Sequence, residues 1–148
     1  MALGTTLITN IVAADEDEFA AVGESMRPMD EWSGIEGPGL DTAKITMLHC
    51  LVSADEYSVA LSLHEPVYVA ETGAIVLRMA DSVVEKLAAY DEETLSHLAA
   101  ELAATEDFEV EAWAPDDVLF LLTEIAGLAR LADSQGQALF VWMHPGQS

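Results

Sequence analysis

The chain has 148 residues, 51% of them apolar, which suits one domain with its own core and argues against intrinsic disorder. Its 27 acids against 5 bases give a formal net charge of -22. That charge repels nucleic acid and anionic membranes, and it suits a basic partner or a salt-rich cytoplasm. A single cysteine, Cys50, excludes an internal disulfide and fits a reducing compartment such as a bacterial cytoplasm. No basic leader and no run near the roughly 18 apolar residues of a membrane span is visible, so a cytoplasmic protein is expected.

In chain order, residues 5–13 (TLITNIVAA) read as a strand, from their β-branched residues and rough alternation. Residues 15–25 read as a helix whose first turn carries Asp15, Glu16, Asp17 and Glu18, a placement that suits the helix dipole. Residues 27–39 hold glycines and prolines and read as a loop, with Trp32 and Ile35 expected to fold back onto the core. If Trp32 stood exposed instead, it would mark a binding loop. Residues 41–53 form a helix with Asp41 as its N-cap and an apolar stripe through Ile45, Leu48 and Val52.

Residues 57–71 are ambiguous between extended chain and a short helix, and Pro66 interrupts them. A buried strand follows at 73–80, then helices at 81–90 and 91–104 capped by Asp81 and Asp91. Residues 105–115 are acidic and carry Phe108, Val110 and Trp113. The longest helix spans 116–136, with Asp116 and Asp117 at its start and Gly136 as C-cap. Residues 138–143 (ALFVWM) are a nearly continuous apolar strand, expected inside the sheet. The order predicts a single α+β domain over 1–148, with a small, mostly antiparallel or mixed sheet packed against several helices.

The stretch AKITMLHCLVSA (43–54) resembles a segment of the YfbM-like family of small bacterial proteins. Leu48 and His49 match that family's Leu-His pair, and residues 50–54 stand where its apolar pair and small ending lie. Ile45 stands at the family's Trp position and Ala43 at its Lys position. The strand near 74–79, the helix pair DSVVEKLAAYDEETL and the closing GQALFVWM also follow the family's order. The family has no established activity, so the resemblance implies a fold more than a role. An immunity-protein role is implied only by likeness to other small acidic proteins.

The adjacent His49 and Cys50 are the residues most suggestive of chemistry. Neighbours on a helix point about 100° apart, so they do not face each other, and a Cys-His nucleophile pair is normally assembled from distant positions. His64, His97 or His144 would have to supply the partner. A packed cysteine and a histidine bonded to backbone are the expected roles. The scattered histidines match no metal-ligand motif, the acids at 15–18 lack calcium-loop spacing, and GIEGPG (34–39) lacks the Lys of a phosphate loop. No catalytic residue, cofactor or metal is therefore expected.

The better interaction candidate is EDFEVEAW (106–113). If extended, it sets Asp107, Glu109 and Glu111 on one side and Phe108 and Val110 on the other, with Glu106 as a further acid and Trp113 as an aromatic anchor. The expected function is a non-enzymatic, immunity- or inhibitor-like protein that binds a basic partner through these residues and Trp32. The alternative is a small-ligand domain or enzyme with a pocket around His49. A homodimer through the final strand or the Trp32 loop is a third reading. Neither nucleic acid nor membrane is an expected partner.

Overall fold

The computed structural model describes residues 8–37, 40–110 and 112–144. Strand β1 (Ile8–Ala14) comes first, followed by a 3-10 turn (Glu16–Glu18), α1 (Phe19–Glu24), α2 (Pro28–Glu31) and β2 (Ser33–Glu36). Then come α3 (Thr42–Ser53), α4 (Tyr57–Leu63), β3 (Tyr68–Val69) and β4 (Ile75–Arg78). Helices α5 (Asp81–Ala89), α6 (Glu92–Ala103), α7 (Glu106–Glu109) and α8 (Pro115–Gln135) lead into β5 (Ala138–His144). The five strands run in the order β2-β1-β5-β4-β3, and every pairing is antiparallel. The fold class is α+β.

Strand β5 is buried along its whole length, which is why its sequence is apolar without alternation. Its two faces belong to separate cores. Leu139, Val141 and Met143 meet Ile11, Leu77 and the helices, including Val118, Leu122 and Ile125 of α8. Phe140 and Trp142 point to the other side, against Val12, Val76, Val22 of α1 and Ala74. With β1 and β4 paired along its two sides, β5 is internal to the sheet and offers no free edge for strand pairing.

Several sequence expectations need correction. The 27–39 segment is not all loop, because it contains α2 and β2. Gly34 reads as a breaker but serves close approach: a Cβ there would lie 2.7 Å from the Ile11 carbonyl oxygen of the paired strand. The 15–25 helix is split into a 3-10 turn and α1. Of the strand expected at 5–13, residues 5–7 lie outside the described residues. The ambiguous 57–71 stretch is helix first and then strand.

Asp41 and Asp91 do cap α3 and α6, accepting the backbone N–H of Lys44 and Thr94. Asp81 is not a cap: Ala80 holds that position, and Asp81 instead accepts from Arg78 at 3.0 Å. Helix α8 ends on Gly136 at φ 67, a left-handed conformation that glycine adopts without steric cost.

On α8 the buried and exposed sides are sharply separated, since Leu122 is 0% exposed and Phe120 is 68% exposed. Leu122→Ala should therefore lower the unfolding free energy by about 2–5 kcal/mol, whereas Phe120→Ala should stay within about 0.5 kcal/mol of wild type. Urea denaturation of both variants checks this, and equal losses would contradict the placement of the core.

Candidate protein-binding site

The acidic 105–115 segment is not extended. Residues 106–109 form α7, and its C-terminal end is closed by two backbone bonds: Ala112 N–H to Glu109 O at 3.0 Å and Trp113 N–H to Phe108 O at 3.1 Å. Ala112 makes the reversal at φ 58, where a residue with a Cβ is disfavoured by about 1–2 kcal/mol. The turn folds Trp113 back onto Phe108, and their rings meet edge to face with centroids 5.3 Å apart. Phe108 is fully buried and lies under the ammonium of Lys44, 5.9 Å from the ring centroid. Lys44 is itself only 1% exposed, and its Nζ stands 3.4 Å from Asp41. A line of contacts thus runs from the start of α3 through Phe108 to Trp113.

Trp113 forms one wall of a hollow of about 250 Å3, lined also by Glu36, Asp117, Phe120, Leu121 and Glu124. Four of these residues come from α8. Positions 117, 120, 121 and 124 are spaced i, i+3, i+4 and i+7, so they share one face of that helix. Glu36 closes the hollow from the end of β2. The result is an apolar floor of Trp113, Phe120 and Leu121 with three carboxylates around it.

Among the described residues, no Lys or Arg is paired with those carboxylates. All 5 bases are engaged elsewhere: Arg27 with Asp30, Lys44 with Asp41, Arg78 with Glu16 and Asp81, Lys86 with the Val52 carbonyl, and Arg130 with the Ala88 and Tyr90 carbonyls. Asp117 spends one oxygen on the Ala114 N–H at 3.3 Å. The Glu36 and Glu124 carboxylates make no hydrogen bond or ion pair among the described residues.

The residues read as a binding surface from sequence are only partly brought together. Trp113 enters the hollow. Glu106 and Glu109 are exposed on α7. Asp107 belongs to α7 by its backbone, and Glu111 lies outside the described residues. Trp32 is half-buried against the core on the opposite face of the sheet from Trp113, folded back as its loop position suggested.

His49 and Cys50 occupy a different place. Helix α3 ends with Ala54 in a left-handed conformation (φ 60), and this turn brings Asp55 back to His49. His49 Nε2 donates to Asp55 Oδ2 at 2.7 Å, and the imidazole is only 1% exposed. His64 packs edge to face on His49 with ring centroids 5.2 Å apart and donates from Nδ1 to the Ala60 carbonyl at 3.0 Å. The second nitrogen of each ring, His49 Nδ1 and His64 Nε2, is buried without a hydrogen-bond partner. Burial, and then the negative charge of Asp55, push the Cys50 thiol up, which keeps it protonated and a poor nucleophile. Among the described residues, no group of three or more His, Cys, Asp or Glu side chains could hold a metal ion.

No protein-family model matches the chain, and no curated protein matches it. The fold is similar to the crystal structure of YfbM from Escherichia coli, a protein of unknown function. The match covers 92% of this chain and 99% of that one, with 12% sequence identity and a TM-score of 0.47. Among the described residues, no helix is long and apolar enough to cross a membrane.

Sequence reasoning missed Phe120, Glu36 and Glu124 as site residues. The signal for Phe120 was present: it is a large aromatic out of phase with the stripe formed by Val118, Leu121, Leu122 and Ile125. Nothing in the sequence indicated that Glu36 would arrive beside it, because that depends on β2 pairing at the sheet edge.

The histidine pair gives a pH prediction. His64 is held below its ordinary pKa, chiefly by burial, partly offset by the bond to Ala60 and reinforced by His49. The unfolded chain therefore binds the proton more readily than the folded one. Stability should fall as pH drops through the ordinary histidine value near 6.5 and keep falling down to the depressed folded pKa. His64→Asn keeps a side-chain donor for Ala60 and removes that proton uptake. Urea midpoints at pH 7.5 and 5.5 should differ less in the variant than in wild type, and an unchanged pH dependence would contradict this.

Proposed function

We propose that this chain is a non-enzymatic binding protein, of inhibitor or immunity type, that holds a basic protein at the hollow between α8, β2 and the α7 turn. The observation that carries the reading is the exposed Phe120 beside Trp113 and Leu121, ringed by Glu36, Asp117 and Glu124. An aromatic anchor with an acidic rim fits a partner segment that presents apolar and cationic side chains together. The surplus of acids speeds the approach of such a partner, and the aromatic floor gives it a preferred place to settle. With a formal charge of -22, charge alone would attract a polycation anywhere on the surface, so specificity has to come from the apolar floor.

The alternative, a small-ligand or enzymatic pocket around His49, has the Asp55–His49 pair in its favour. The burial of both imidazoles and the protonated Cys50 weigh against it.

The test separates charge from site. Wild type and Phe120→Asp are immobilised in parallel, and cell lysate is passed over each at low salt. The variant is more acidic, so binding by charge alone would be retained or strengthened. The expected result is a basic protein held by wild type, weakened at least about tenfold in Phe120→Asp, and released as added salt screens the rim. Equal retention by both proteins, or no basic protein retained at low salt, overturns the reading.

A further inference from the structure

We propose that the hollow at Trp113 and Phe120 is a receptor for a single guanidinium group, the side chain of an arginine presented by the partner. This rests on the proposed binding role and names the chemistry that the site selects. About 250 Å3 is too small for a folded element but has room for one side chain.

The lining defines what that side chain must be. Trp113 and Phe120 bring two aromatic rings to the hollow, and a cation that settles on a ring face gains by attraction to its quadrupole. Glu36 and Glu124 bring carboxylates that nothing in the described chain neutralises, and Asp117 has one oxygen left after accepting from Ala114. The acceptors come from two elements, β2 and α8, so they approach the hollow from different sides.

A planar group with five donors, which stacks on rings while bonding carboxylates at its edge, matches that arrangement better than a compact ammonium does. The guanidinium is also the more weakly hydrated cation, so moving it onto an apolar floor costs less. A neutral side chain of the same shape would leave the three carboxylates without a counter-charge. Phe120, at 68% exposure, gains an apolar contact only when the hollow is filled.

A monovalent probe is required, because a polycationic peptide would adhere to so acidic a surface without using the hollow. Nα-acetyl-arginine methylamide, the lysine analogue and the citrulline analogue (the neutral isostere of arginine) are each titrated into the full chain. Amide and indole chemical shifts report binding. The arginine compound should saturate, the lysine compound should bind at least about threefold more weakly, and citrulline should not bind. Phe120→Ala should weaken the arginine compound about two- to fivefold, the loss expected for one ring. Glu124→Gln should also weaken it, while Glu101→Gln on α6 should leave it unchanged.

Equal binding of arginine and lysine overturns the proposal. So does non-saturating arginine binding, or binding indifferent to Phe120. The outcome stands apart from the lysate experiment. A basic protein captured through Phe120 without arginine preference would sink this inference alone, whereas arginine selectivity with no captured protein would sink the protein-binding reading alone.

Discussion

Strand β5 must be covered on both faces, and much of the fold follows from that constraint. Seven consecutive buried residues, Ala138–His144, have no solvent-tolerant side. One face is met by the helical layer and the other by α1 with residues from the β3–β4 region. Helix α8 does most on the helical side, and a helix that packs one stripe inward must show its other sides to neighbours or to water. The side of α8 near its N-terminus looks past the sheet edge at β2. Asp117, Phe120 and Glu124 stand there because Val118, Leu122 and Ile125 are committed to the core.

The second wall of the hollow depends on a buried cation. Lys44 is buried, and its ammonium meets the Asp41 carboxylate and lies over the Phe108 ring. Burying an ammonium is costly, and the arrangement holds only while its partners stay in place. Phe108 in turn fixes Trp113 through the edge-to-face contact and the α7 closure. The strained Ala112 is part of the same unit, since its left-handed turn sets the direction from which Trp113 returns. Core packing on α8 and an ion–aromatic line from α3 therefore converge on one surface feature. The electrostatics complete it, because among the described residues each Lys and Arg is engaged elsewhere and none is paired with the rim carboxylates.

Much of the architecture could be read from residue patterns. The 3.6-residue stripe of α8, the Asp41 and Asp91 caps, Gly136 and the apolar run of β5 each reflect a local rule that the tertiary structure obeys. The errors fell where long-range pairing outweighs local preference. β2 forms in a glycine-rich stretch because β1 offers it a ladder and Gly34 permits the approach. Residues 107–110 alternate acid and apolar like a strand, yet 106–109 wind into α7, which seats Phe108 in the core beneath the Lys44 ammonium. Of the site, Trp113 was legible as an aromatic among acids. Its companions were not, since bringing Glu36 to α8 requires a non-local strand pairing that no local pattern encodes.

The most direct test of the central claim, that one hollow rather than the acidic surface at large receives the cation, is a complex mapped at residue level. Intermolecular nuclear Overhauser contacts would be recorded between labelled protein and a peptide bearing one arginine between apolar residues. The account predicts contacts from the arginine side-chain methylenes to the Trp113 and Phe120 rings, with none to α4. Contacts scattered over the acidic surface, or gathered at Tyr57, Val59 and Leu63 of α4, would contradict it.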